Sequence, residues 1–430
     1  MNRKGWEEQF VSGRQDVFLE RVYAGKVISN RKRYLELLKL FEVTFGGEVP
    51  EEADLSLFCA PGRTEIGGNH TDHQHGRVLA ASVDMDMIAA AAPTKDDVIC
   101  IQSEGYPMCR IRLDSLDPVP EEKNSTAALI RGVAARFAQM GCRLGGFRAV
   151  VTSGVLPGSG ISSSAAFEVL VGNIVNGLFF SSRADAVTIA QIGQYAENVY
   201  FGKPSGLMDQ TASSVGNILT IDFEDTDHPV VRQLNVDFEK AGLALCIIDS
   251  GADHADLTDE YAAIPSELKQ ICQFMGREVL REIPREEFMD KLPELRKCAG
   301  DRAILRAIHF YADNERVPRQ AQALEEGDIE GFLRLVKESG FSSWMYLQNI
   351  TPAGRTAHQE MGVALALCDT LLAGRGAFRV HGGGFAGTVQ AFVPLDMLEA
   401  FRQEIDRVLG EGSCHVLSIR PVGGIQLSEA

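Results

Sequence analysis

Residues 155–166 read VLPGSGISSSAA, and the reading of this stretch decides the fold. An apolar run ends at Pro157. Gly158 and Gly160 let the backbone come close to a ligand, and Ser162, Ser163 and Ser164 follow at once. Phe167, Leu170, Val171, Ile174 and Leu178 then fall on one face at helical spacing. A strand, a glycine loop and a helix in this order aim free N–H groups and the positive helix end at one spot. Phosphate is the natural occupant, and a serine hydroxyl there can also reach a magnesium ion. The plainer alternative is a tight turn with Ser162 as helix cap. The loop is neither G-x-x-x-x-G-K-[ST] nor G-x-G-x-x-G, and H-R-D and D-F-G are absent from the chain.

Outward from the loop, the first 45 residues read as amphipathic helix. DLSLFCAPG (54–62) reads as a strand running into a turn, and MDMIAAAAP, FRAVVTSGVLPG, NILTIDF and LALCIID read as further strands. ADAVTIAQIGQYAENVYFG reads as a helix stopped by Gly202 and Pro204. Beyond about residue 260 the pattern is mostly helical, with short strands near FRVHGGGFAGTVQAFVP and CHVLSIRP. Strands and helices mix without β-α-β alternation, which predicts an α+β fold. The acidic, polar segment 225–245 is the expected connection between a lobe over 1–235 and a second over 236–430.

The composition is that of a water-soluble globular protein, with 45% apolar and 23% charged residues. No uninterrupted apolar window of about 18 residues occurs, and the opening MNRKGWEEQFVSGRQDVFLERV is too charged for a signal peptide. The expected location is the cytoplasm. Nine scattered cysteines without a C-x-x-C pair argue for reduced thiols. A formal charge of −17 repels nucleic acid and anionic membrane. It leaves room for an anionic small ligand where N–H groups, a cation or an arginine compensate locally.

GGNHTDHQHG (67–76) places His70, Asp72, His73 and His75 within six positions. That looks like a metal cluster, but it lacks the i, i+4 pairing of H-E-x-x-H and has no cysteine nearby. Surface or loop packing is the expectation for His73 and His75. HGGGFAGT (381–388) alone reads as a hairpin or close backbone approach. AENVYFGKPSGLMDQTAS (196–213) carries Glu197 at a helix end and Asp209 among apolar neighbours.

Four segments decide the matter together: APGRTEIGGNHTD (60–72), LPGSGISSSAA (156–166), GLMDQ (206–210) and HGGGFAG (381–387). In this order they resemble the GHMP kinases, and the galactokinase family within them. SGADHADLTDEY, LRAIHFYADNERV and LEEGDIEGFLRLVKESG add weaker echoes. The resemblance implies two α+β lobes with the active site in the cleft between them. It implies ATP and Mg2+ as cofactors, and a small sugar and ATP as the only partners, with no nucleic acid and no membrane. Monomer and dimer are both open.

By the same resemblance, Asp209 is the candidate base for a sugar's anomeric hydroxyl, with Arg63 beside it. Gly158, Ser159, Gly160, Ser162, Ser163 and Ser164 line the triphosphate, and Ser164 and Glu197 hold magnesium. Asn69, His70, Thr71, Asp72, the backbone at Gly206, and Tyr261 contact sugar hydroxyls. Such side chains reject an epimer by leaving a buried polar group unpaired, at roughly 1–3 kcal/mol each. Galactokinases read N-x-I-G-E-H-T-D-Y where this chain has Glu65, Asn69 and His73. The implied reaction is formation of galactose 1-phosphate. Asn69 motivates a second possibility, another sugar such as N-acetylgalactosamine or arabinose. A third, a non-catalytic sugar sensor, ranks lower because Ser164, Ala165, Ala166, Glu197 and Asp209 are all present.

Overall fold

The computed structural model describes residues 1–23, 25–155, 160–252 and 257–428. Its strands in chain order are β1 (Ser56–Gly67), β2 (Arg77–Pro93), β3 (Val98–Ser103), β4 (Cys109–Arg112), β5 (Phe147–Ser153) and β6 (Ile218–Asp222). There follow β7 (Val230–Leu234), β8 (Leu243–Asp249), β9 (Ala377–His381), β10 (Thr388–Pro394), β11 (Cys414–Leu417) and β12 (Ile425–Gln426). Among the described residues they form an eight-stranded sheet ordered β12-β1-β2-β5-β3-β4, with β6 on β2 and β7 on β6, and a four-stranded sheet ordered β11-β8-β10-β9. Pairing is antiparallel except between β3 and β5. This mixed, mostly antiparallel architecture is the α+β mixture that the lack of alternation predicts.

Alternation along the strands explains why the first sheet is covered on both sides. Leu57, Cys59, Ile88, Ala90, Ala92 and Val150 pack under Trp6, Phe10, Tyr34, Leu37 and Phe41. Those residues come from the helices Arg3–Ser12 and Val27–Phe45. The intervening Phe58, Ala60, Ala89, Ala91, Ala149 and Val151 face the opposite way, into a cluster that also holds Leu170 and Ile174. That period of two is what a pleated strand imposes. The same cluster continues into the second sheet through Leu245, Ile247, Phe392 and Leu417, so both sheets share apolar packing.

The structure departs from the expected turn at the end of DLSLFCAPG. β1 runs on through Arg63 to Gly67. Its register shifts between Pro61 and Arg63, and this irregularity absorbs the proline that lacks an N–H. The chain's last strand also leaves the second lobe. β12 pairs with β1 through Phe58↔Gln426 and Cys59↔Ile425, and Val83 bridges to Ile419.

Candidate active site

Arg63 enters the site from the extended end of β1 and is 7% exposed. Its Nε donates to Asp209 Oδ1 at 2.6 Å and its Nη2 to Asp209 Oδ2 at 2.7 Å. This is the two-pronged geometry that a guanidinium offers a carboxylate. Its Nη1 donates to the Gly160 carbonyl, and its backbone N–H to the Ile161 carbonyl at 3.0 Å. Asp209 stands in the first turn of the helix Met208–Val215. Ser162 Oγ donates to its Oδ2 at 2.7 Å. Burial alone would raise the Asp209 carboxyl, but Arg63 and Ser162 outweigh it and hold the group down at about 2. Asp209 is therefore an anion at any physiological pH.

Of the expected strand FRAVVTSGVLPG the structure keeps Phe147–Ser153, and the expected helix starts within the serines. The helix spans Ser163–Phe179, and Ser162 occupies the cap position at φ 59° without a side-chain capping bond. Its hydroxyl goes to Asp209 instead of capping the first N–H groups of the helix. Gly160 has φ +70°, and a Cβ there would strike Thr388 Oγ1 of the second lobe and lie 2.9 Å from His381 Nδ1. Only glycine fits so close an approach. Gly158 and Ser159 lie outside the described residues.

On the other side of the loop, Ser164 Oγ lies 3.4 Å from Glu197 Oε1. The expected helix 184–202 is α-helical only over Ala186–Tyr195, and Glu197 sits in the wider turn Ala196–Phe201 that follows. Such π-type turns re-aim side chains and recur at functional sites. Ser205 Oγ donates to Glu197 Oε2 at 2.6 Å, and Lys203 Nζ lies 3.3 Å from Oε1. Glu197 is 3% exposed.

The loop of residues 67–76 is tied down by the second lobe. Asn69 is wholly buried and fills all four hydrogen-bonding positions of its amide. Its Nδ2 donates to Glu65 Oε1 at 3.0 Å and to the Gly382 carbonyl at 2.8 Å. Its Oδ1 accepts from Ser343 Oγ at 3.1 Å and Asn349 Nδ2 at 2.9 Å. Thr71 Oγ1 turns inward as well, to the carbonyls of Gly68 and Arg77. Both residues are expected on the sugar; both instead bond within the protein. His70, at φ 59°, donates from Nε2 to the Gly383 carbonyl at 2.9 Å. Burial, helped by His73, lowers its imidazole to about 3, so the ring is neutral. Asp72 accepts from the His73 N–H through Oδ1 at 3.0 Å. Its Oδ2 packs against Gly206 so tightly that a Cβ there would overlap it. Tyr261 donates to the Gly384 carbonyl at 2.8 Å and meets Phe385 edge-on at 5.5 Å. Among the described residues no three metal-ligating side chains converge.

Sequence reading passed over the residues that hold this loop. His309 Nε2 donates to the Asn69 carbonyl at 2.9 Å, and Asp313 Oδ2 accepts the Asn69 N–H at 2.9 Å. Glu65 pairs with wholly buried Arg379. The signal was the i, i+4 spacing of His309 and Asp313 within LRAIHFYADNERV. A directed chain adds to the tie: Gln390 Nε2 donates to Thr64 Oγ1 at 2.6 Å, Thr64 to His381 Nε2 at 3.1 Å, and His381 Nδ1 to Thr388 Oγ1 at 2.9 Å. This assignment leaves His381 neutral, as burial requires.

Comparison with known proteins finds matching family models and similar folds. Residues 39–93 match the galactokinase galactose-binding signature, and residues 128–217 match the GHMP kinase N-terminal domain. Among solved structures, Lactococcus lactis galactokinase complexed with galactose superposes with a TM-score of 0.78 at 24% identity, covering 91% of this chain and 100% of that one. Methanococcus jannaschii mevalonate kinase gives 0.60 at 14% identity over 86% and 99%. Streptococcus pneumoniae phosphomevalonate kinase gives 0.59 at 12% over 84% and 98%.

Proposed function

We propose that this chain, a GHMP kinase in fold that carries the galactokinase galactose-binding signature, transfers the γ-phosphoryl group of ATP to the anomeric hydroxyl of galactose, giving galactose 1-phosphate and ADP. One observation carries the reading. The sugar-signature strand and the phosphate-loop helix meet at a single carboxylate, Asp209, which Arg63 and Ser162 grip from both sides.

In this reading the sugar's anomeric O–H donates to Asp209. A carboxylate held near 2 is a weak base, so the proton moves late, once the attacking oxygen bonds to phosphorus and becomes acidic. A loose phosphoryl-transfer transition state needs no more than that. As Asp209 gains the proton, the Arg63 guanidinium loses a full charge partner and is left to steady the transferring oxygens. Asp72, His70, Tyr261 and the backbone at Gly206 face the sugar, while Asn69 and Thr71 shape the loop from behind. Gly160, Ser162, Ser163 and Ser164, with Gly158 and Ser159, form the phosphate cradle.

Magnesium fits the residues present. Ser164 and Glu197 offer two hard oxygens beside the helix start, and Glu197 already attracts the Lys203 ammonium. A magnesium ion takes few protein ligands and fills its shell with phosphate and water. Ser164 and Glu197 would hold it, and when bound it would neutralise charge on the phosphates.

The test is a panel of galactose, N-acetylgalactosamine, arabinose and glucose with ATP and magnesium. Galactose is expected to give the highest kcat/KM. A higher value for any other sugar would overturn the substrate assignment, and no phosphorylation of any of them would overturn the kinase reading.

A further inference from the structure

Behind Glu197 lies a buried pair that the mechanism above does not use. Glu168 is on the helix Ser163–Phe179, one turn past Ser164, and is wholly buried. Its hydrogen-bond partner is an amide: Gln210 Nε2 donates to Glu168 Oε2 at 2.9 Å. The second hydrogen of that same nitrogen goes to Glu197 Oε2, also at 2.9 Å. Gln210 directly follows Asp209 and is wholly buried too.

Among the described residues two oxygens of this group have no hydrogen-bond partner, Glu168 Oε1 and Gln210 Oε1. Both are acceptors as long as Glu168 is ionised. A proton on Glu168 Oε1 turns one of them into a donor, which an amide oxygen can accept. Burial and the nearby Glu197 carboxylate push Glu168 in the same direction, well above the usual carboxylate range. Gly193 seals the pocket: a Cβ there would lie 3.1 Å from Glu168 Oε2 and 3.2 Å from Gln210 Cγ.

The consequence falls on Glu197. Its Oε2 is held twice, by Gln210 and by Ser205 at 2.6 Å. Among the described residues its Oε1 has only the longer contacts, Ser164 at 3.4 Å and Lys203 at 3.3 Å. We propose that Glu168 and Gln210 are a positioning pair that anchors Glu197 through Oε2 and so presents Oε1, beside Ser164, to the metal–nucleotide. This rests on the kinase reading, because it assigns Glu197 its partner.

The experiment measures binding of Mn2+ with ADP, by electron paramagnetic resonance of free Mn2+, alongside calorimetric galactose affinity and thermal midpoint. Glu168→Leu and Gln210→Met are expected to weaken Mn2+ binding in the presence of ADP by about 10–100-fold, as loss of groups that orient a ligand does. Galactose affinity should stay at the wild-type value. Glu168→Gln should bind Mn2+ as the wild type does, because an amide supplies the same donor and acceptor without charge. Wild-type Mn2+ binding in both the Leu and Met variants would overturn the proposal, as would Glu168→Gln as impaired as Glu168→Leu. If Glu168→Leu does not fold, Gln210→Met and Glu168→Gln carry the comparison. Wild-type protein that fails to bind Mn2+ with ADP would remove the kinase reading itself, a result distinct from variants that match a binding wild type.

Discussion

At the scale of single residues, Asp209 and Asn69 show how differently two polar side chains in one cleft can be employed. Asp209 has its charge fixed by Arg63 and Ser162. Asp209→Asn should bind galactose with the wild-type affinity while kcat falls by about 10²–10⁴-fold, the usual worth of a positioned proton acceptor. Calorimetry and steady-state rates together check this; full turnover in the variant would remove Asp209 from the chemistry. The lowered Asp209 carboxyl also sets a sign for stability. Its folded value of about 2 lies below the ordinary 3.8. Its contribution is thus complete above about pH 4 and fades as pH falls towards 2. The stability difference between wild type and Asp209→Asn, from denaturant titrations followed by circular dichroism, should therefore shrink as pH falls from about 4 towards 2. Asn69 is the opposite case, with four internal bonds and nothing left over. Asn69→Ala should lower stability by roughly 1–3 kcal/mol for each stranded buried partner, and leave the order of sugars by kcat/KM unchanged. A reordered panel would return Asn69 to the sugar.

At the scale of elements, what was legible in the sequence was whatever local chemistry decides. The helix after the serines follows from apolar spacing. The need for glycine at 160 follows from a loop that must approach something. What the loop approaches was not legible, because Thr388 and His381 come from a hairpin more than two hundred residues away. The same holds for the extension of β1 past Pro61, which depends on a register shift against β2, and for the wide turn that aims Glu197. The capping role offered to Ser162 was reasonable locally, and lost to a carboxylate from another helix. Gly160→Ala combines an unfavourable φ, about 1–3 kcal/mol for a non-glycine residue, with a collision at Thr388. The variant should raise KM for ATP, lower kcat and melt below wild type, because the folded state bears both the strain and the collision.

At the scale of the whole molecule, the two ends of the chain meet at one buried carboxylate. Asp86 on β2 is wholly buried. It accepts from Tyr23 Oη at 2.6 Å, Arg33 Nη2 at 2.8 Å and Arg420 Nη1 at 2.6 Å. Burial opposes its charge, and the two guanidiniums and the phenol outweigh that, so Asp86 is lowered below the usual range. Arg420→Met would leave the carboxylate half-compensated. A loss of about 3 kcal/mol in unfolding free energy is expected, measurable by denaturant titration. The sequence announced none of this, since a lone Asp, Arg and Tyr far apart in the chain carry no pattern. There is a consequence for synthesis. Asp86 leaves the ribosome 334 residues ahead of Arg420, and the open edge of β1 waits equally long for β12. The lobe made first is therefore the lobe finished last. Until residues 420–426 are made it carries a bare strand edge and an under-compensated charge, the kind of surface that pairs with other chains.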